Sequence, residues 1–436
     1  MDLINSQLIL IDKIKNLIKK SKNKGLPVFK IATFYFAPYG NSKGYAKIIF
    51  EQNKLKGLIL SLEIFLKDLY KILFLGKFKI IKNSNSKKYE NIIVNWASFK
   101  DFDAKGNYQD KHFYTNSSKN LNTFWILILI DSKTPKKIAN NIALIINEKK
   151  RFNLEFLWEI IKKSFKKNNF SNFYHEASYL SILANYFYNN LDKFIGKNTK
   201  KILMPYEGQP FQNAIFKKIH GINKKIKTIG FIHSFPIGLP LNLIKKDGAP
   251  KKIIVSSESQ LYCLNNFLGW KEKDIQILPS TRLRYSKKIN MSNKIFLPIK
   301  FESSKKIIEN LSILVENLKI NLSNIQIKNH PSCAQSKKHL KLMKEIKYVL
   351  KSTSQNKIKK NLSIFIGATG SVIEALERKV QAIHICENPT LESYSKKLWK
   401  FIQVQKINSY VYKYNILKRN KLIKFGNDVN LYKKYL

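Results

Sequence analysis

Seven histidines occur in 436 residues, and two of them stand where apolar runs stop. His330 follows the run IQIKN (325–329) and is followed by Pro331. An imidazole there could give a hydrogen bond or a positive charge to a phosphate, including one that leaves in a reaction. Pro331 would fix the chain direction and aim the ring into a crevice. About thirty residues on, SIFI breaks into GATGS (367–371). Gly367 and Gly370 let backbone approach a ligand, Thr369 and Ser371 supply hydroxyls, and free amides at a helix start favour an anion. No Walker lysine and no GxGxxG accompany the turn, so a nucleotide-activated donor is the expected ligand. Upstream, PYEGQPFQNA (205–214) puts Glu207 in a turn, and GFIHSFPIGLP (230–240) puts His233 at a strand end. A carboxylate at 207 could take a proton from an acceptor hydroxyl. Ser257, in VSSES (255–259), and Glu387 also follow strand-like runs and fall near the same ligand. Each residue has a plainer reading: a loop or buried histidine, a solvated turn acid, a helix N-cap. Recurrence at successive strand ends favours function. The stretch 95–114 adds Asp101, Asp103, Asp110 and His112 among aromatics. Its spacing matches no metal site, and a lid or acceptor-binding loop is its functional alternative.

These positions need strands to end on them. VFKIATFYF (28–36), KILFLG (71–76), NIIVNW (91–96) and FWILILI (124–130) read as strands buried on both faces, because apolar residues run on without alternation. Two helical patterns fill 153–195, and strands are expected at 201–208, 227–234, 251–255 and 273–280. The pattern restarts near residue 290: strand 294–299, helix 303–319, strand 325–329, helix 334–350, strand 363–367, helix 371–378, strand 380–386. Strands alternating with helices imply parallel sheets with right-handed crossovers. The expected fold class is α/β, with two Rossmann-like doubly wound domains, 1–288 and 289–436, facing a crevice. Ligands of such units bind beyond the carboxyl ends of the strands.

Composition narrows the classes. The formal charge is +50, yet of 79 basic residues five are arginine and the other 74 lysine. Arginine is the usual reader of bases and phosphates. The lysine comes with abundant Ile and Asn, so compositional bias explains most of the charge. An anionic membrane leaflet is the second explanation and nucleic acid the third. Cys263, Cys333 and Cys386 form no CxxC, which argues against a disulfide framework or a zinc site. The opening MDLINSQLIL lacks a basic n-region, and the longest strong apolar run has seven residues. A cytoplasmic protein is expected, with a peripheral place at the inner face of the inner membrane as the second option. Residues 3–20 carry an apolar face and a basic face; a first helix packed on the body is preferred to one lying on a membrane.

KNHP followed by GATGSVIEAL resembles the paired C-terminal motifs of GT-B glycosyltransferases of bacterial surface polysaccharide: polysialyltransferases, capsule Kdo transferases and, more distantly, CDP-glycerol glycerophosphotransferases. YEGQPFQNAIF with IGFIHSFP is similar to a group of surface carbohydrate biosynthesis proteins, and NW…D.HF (95–113) looks like that group too. The resemblance implies a GT-B fold and inverting transfer from a nucleotide sugar, CMP-linked, to a glycan or glycolipid acceptor, with no cofactor and no metal. It carries phosphate contacts onto His330, Thr369 and Ser371, and the catalytic acid onto Glu207. This chain has a single Ser after Gly370 where many relatives have a hydroxyl pair. The alternatives are glycerophosphate transfer on the same fold, a non-catalytic sugar-nucleotide binder, and a basic protein bound to nucleic acid or membrane.

Overall fold

The computed structural model describes residues 3–23, 54–113, 115–120, 122–131, 133–148, 154–165, 178–235, 237–281, 283, 290–318, 325–351, 361–426, 429–432 and 435. The chain builds two sheets. The first has eight strands: β1 (Phe78–Lys82), β2 (Asn91–Ala97), β3 (Thr123–Leu129), β4 (Ile142–Asn147), β5 (Lys201–Pro205), β6 (Lys227–Phe231), β7 (Lys252–Val255) and β8 (Ile275–Ile277). Their order is β1-β4-β3-β2-β5-β6-β7-β8, parallel except where β1 runs against β4. All seven residues of β3 are buried, which is why its sequence is one apolar run.

The second sheet has six strands: β9 (Lys294–Phe296), β10 (Gln326–Lys328), β11 (Leu362–Ile366), β12 (Gln381–Ile385), β13 (Ile402–Lys406) and β14 (Val411–Ile416). The order is β10-β9-β11-β12-β14-β13. The first four are parallel; β14 runs antiparallel to β12 and to β13. Two multi-strand, mostly parallel sheets agree with the expected pair of Rossmann-like units.

The helices are α1 (Leu3–Asn23), α2 (Lys54–Leu73), α3 (Glu155–Phe165), α4 (Tyr179–Asn190), α5 (Pro210–Ile222), α6 (Glu258–Phe267), α7 (Ser304–Leu318), α8 (Lys337–Lys351), α9 (Ser371–Glu377) and α10 (Pro389–Glu392). One expected strand is wrong. Residues 71–73 end α2 rather than begin a strand, because Ile72 and Leu75 turn inward onto Ile182. The expected strand 28–36 lies outside the described residues. Strands β1, β4, β13 and β14 went unread.

Segments from both chain ends bind the two sheets together. Leu10, Ile11, Ile14 and Ile18 bury the apolar face of α1 in the main core. Gln7 Nε2 on that helix donates to the carbonyls of Thr390 (3.1 Å) and Ser393 (2.8 Å), beside α10. At the other end, residues beyond β14 return to the first sheet. Lys424 N–H donates to Ser256 (2.7 Å), and Ser280 N–H donates to Lys424 (2.8 Å). Tyr432 packs on Phe231 and gives its hydroxyl to Pro279 (2.7 Å). Glu377, 1% exposed, holds the returning segment with its carboxylate, which accepts from the N–H groups of Asn420, Leu422 and Ile423.

Candidate functional site at the facing strand ends

The order of the first sheet reverses between β2 and β5. Loops after two such strands diverge and leave a crevice beyond their carboxyl ends. Asn95, near the end of β2, is the first polar side chain there. Its Oδ1 accepts from Trp96 N–H (2.8 Å), which fixes the amide so that Nδ2 faces inward. That nitrogen lies 2.6 Å from Asp110 Oδ1 and 2.9 Å from His112 Nδ1. His112 Nδ1 therefore accepts, and the proton of the neutral ring sits on Nε2. Tyr108, whose hydroxyl donates to the Trp96 carbonyl at 3.2 Å, completes the buried group. Burial raises Asp110 to about 7, against hydrogen bonds from Phe113 N–H and Asn95 that pull it down.

The Asp110 shift has a consequence for stability. The folded chain keeps this proton up to about pH 7, whereas an unfolded aspartate loses it near 3.8. The folded state binds more protons between these values, so stability falls as pH rises through that window. Buried Glu392, raised to about 8, acts in the same direction. Thermal unfolding of Asp110→Asn followed against pH should give a shallower decline between about pH 4 and 7. An unchanged slope would refute the assignment.

Glu207 follows β5, next to β2. Its backbone is clamped: Gln212 Oε1 accepts from Glu207 N–H (2.9 Å), and Asn242 Nδ2 donates to the Glu207 carbonyl (2.9 Å). Gly208 makes the turn at φ +68°, and a Cβ there would lie 2.1 Å from Asn242 O. The carboxylate takes Gln209 Nε2 at 2.8 Å on one oxygen and faces His233 Nε2 at 3.4 Å with the other. Burial raises the Glu207 carboxyl above its ordinary value, while bonds from Gln209 and Ser234 oppose the shift. His233, at the end of β6, meets His112 edge to face with ring centres 4.5 Å apart. The structure thus joins Glu207, His233 and His112 in one row, with Asn95 and Asp110 behind it.

Across from this row stands the turn after β11. Gly367 adopts φ +63°, and its N–H donates to Ile385 (2.8 Å). Its carbonyl lies 2.6 Å from His384 Nε2, which must donate. Burial lowers His384 to about 4, so the ring stays neutral, and Nδ1 faces Tyr414 Oη at 3.5 Å. Thr369 Oγ1 accepts from Ser371 N–H (3.2 Å), and Tyr394 Oη donates to the Thr369 carbonyl (3.0 Å). At Gly370 a Cβ would come within 2.5 Å of Phe235 Cβ, two residues past His233. Trp399 Nε1 seals this side with a bond to Gly238 O (2.8 Å). The turn 367–371 and the loop after His233 are therefore in contact.

The other expected positions follow other strands. His330 follows β10, which β9 separates from β11; its N–H donates to Asn329 Oδ1 (2.8 Å). Glu387 accepts from the N–H groups of Glu302 and Ser303 and so caps α7. Ser257 caps α6 through Gln260 N–H (3.0 Å). The sequence reading missed Asn95 and His384 as members of the site. Their available signal was a polar side chain inside an otherwise apolar strand.

No family model and no curated protein matches this chain. A crystal structure titled as a glycosyltransferase from Rickettsia africae ESF-5 is similar at 12% identity, covering 70% of this chain and 86% of that one, with a TM-score of 0.27. A likeness at that score bears no weight on function.

Proposed function

We propose that the protein is an inverting glycosyltransferase that moves a sugar from a nucleotide donor, CMP-linked, onto a cell-surface polysaccharide or lipid-linked acceptor. One observation carries the reading: the Glu207 carboxylate, its pKa raised by burial, stands 3.4 Å from His233 at the crevice of the first sheet, with the glycine turn of the second sheet against the next loop. In the proposed reaction Glu207 takes the proton of an acceptor hydroxyl. The oxygen then bonds to the anomeric carbon as the bond from that carbon to the phosphate oxygen breaks. The nucleotide leaves with the electron pair. Inversion follows because attack and departure occupy opposite faces. Thr369 and Ser371 would donate to the phosphate, helped by the backbone of Gly367 and Gly370, and His330 would give a hydrogen bond to the departing group. The resemblance of KNHP and GATGS to the polysialyl- and Kdo-transferase motifs supports the donor class.

The test is thermal stabilisation of the purified chain by CMP, CDP, UDP and GDP. A nucleotide at about 100 times its dissociation constant should add about 2.7 kcal/mol. Stabilisation by CMP that His330→Ala abolishes is expected. CDP or UDP in its place would replace the donor. Silence with all four would overturn the phosphate site.

A further inference from the structure

The α1 helix, expected to pack on the body in preference to lying on a membrane, buries its apolar face. Helix α2 does the opposite. Leu55, Leu58, Ile59, Leu62, Leu66 and Tyr70 recur three or four apart and are between 49% and 67% exposed. They form one stripe along the helix. Another side of α2 is already used, with Ile72 at 0% and Asp68 at 3% exposure. Side chains of this size left in water over several turns mark a surface that something covers. On α3, which packs beside α2, Trp158 is 57% exposed with Lys162 Nζ 5.1 Å from its ring centre.

The chemistry around the stripe selects the occupant. Lys71 and Lys67, the latter paired with Glu63, flank it on α2, and the chain as a whole carries +50. Lipid headgroups of an anionic leaflet offer the opposite charge, and acyl chains offer a place for the leucines. An exposed tryptophan with a lysine over it suits the interfacial layer. Among the described residues no helix is long and apolar enough to cross a membrane, so the contact is in the plane of the surface. The charges of Lys67 and Lys71 reach Lys300, whose pKa they lower after burial has done so. The Lys300 carbonyl lies 3.8 Å from where a Cβ on Gly367 would be. The last turns of α2 therefore stand at the edge of the crevice.

We propose that the α2 stripe is a membrane-docking face that seats the protein on an anionic lipid surface with the crevice edge turned toward it. This surface is independent of the transferase reading, and its test needs no activity. The full chain is floated with phosphatidylcholine vesicles, with and without phosphatidylglycerol. Binding should require the anionic lipid and weaken with salt. The triple variant Leu58→Ser, Leu62→Ser, Leu66→Ser should bind at least about tenfold more weakly with an unchanged Tm. Failure of the parent chain to bind, or equal binding by the variant, would overturn the proposal. So would a fall in Tm, which would set the stripe against the chain's own residues. A dimer that the variant dissociates, without vesicle binding, would assign the face to a second copy instead.

Discussion

Replacing Glu207 by glutamine should lower the rate of sugar transfer by about 10²- to 10⁴-fold, the range that a positioned general base supplies. The substitution is gentle to the fold. The backbone bonds from Gln212 and Asn242 do not involve the side chain, and an amide oxygen can still accept from Gln209. The loss should therefore fall on kcat, with the nucleotide-induced Tm shift intact. The pH dependence sharpens the expectation. A base works only when deprotonated, and burial raises the Glu207 carboxyl. The acid limb of the parent's kcat/KM should lie above the usual carboxylate range and vanish in Glu207→Gln. His233→Asn should move that limb, since His233 Nε2 faces the carboxylate at 3.4 Å. Activity in Glu207→Gln within about threefold of the parent would remove the residue from the chemistry and assign the proton transfer to another group.

The largest expected loss of stability lies far from the crevice. Glu377→Ala should cost about 3–5 kcal/mol in denaturant unfolding, because it strands buried N–H groups that now bond to a charge. Those groups belong to Leu422 and Ile423, at 2.8 and 3.1 Å; Asn420, whose N–H also bonds to the carboxylate at 2.8 Å, is exposed. Glu377→Gln keeps one acceptor oxygen and should recover part of the loss. A cost under about 1 kcal/mol for the alanine variant would mean that water replaces the carboxylate and that the returning segment is held by its aromatic contacts alone.

Much of the layer structure was legible because its cause is local. β2, β3, β11 and β12 are covered on both faces, and that demand writes itself as Ile, Val and Phe in succession. Helices α7 and α8 bury one stripe each and show it in their spacing. The failures come from context. Residues 71–76 are apolar because α2 ends against Ile182, and a short apolar run does not say whether a helix or a strand made it. The β13–β14 hairpin has half-buried strands whose partner is decided by the sheet, not by their own pattern. At the site, Glu207 and His233 stood out by type and by the turns around them. Their meeting with His112 did not, since it depends on β2 and β5 lying side by side although 103 residues separate their ends and starts of chain at Ala97 and Lys201. Glu387 and Ser257 each accept a backbone N–H at a helix start, a role that a position after a strand does not reveal.

The return of residues 420–435 to the first sheet bears on the order in which a ribosome could complete this protein. Phe231 and Phe113 sit in strands and loops made early, yet the ring that covers both belongs to Tyr432. The first sheet is translated long before its last covering piece, so the nascent chain must carry an unfinished apolar face through the synthesis of the whole second sheet. α1 has the converse problem: it precedes both sheets in the chain, and Gln7 waits for the carbonyls of Thr390 and Ser393. Completion of the first sheet's core and assembly of the two halves thus fall together, after the second sheet has been made.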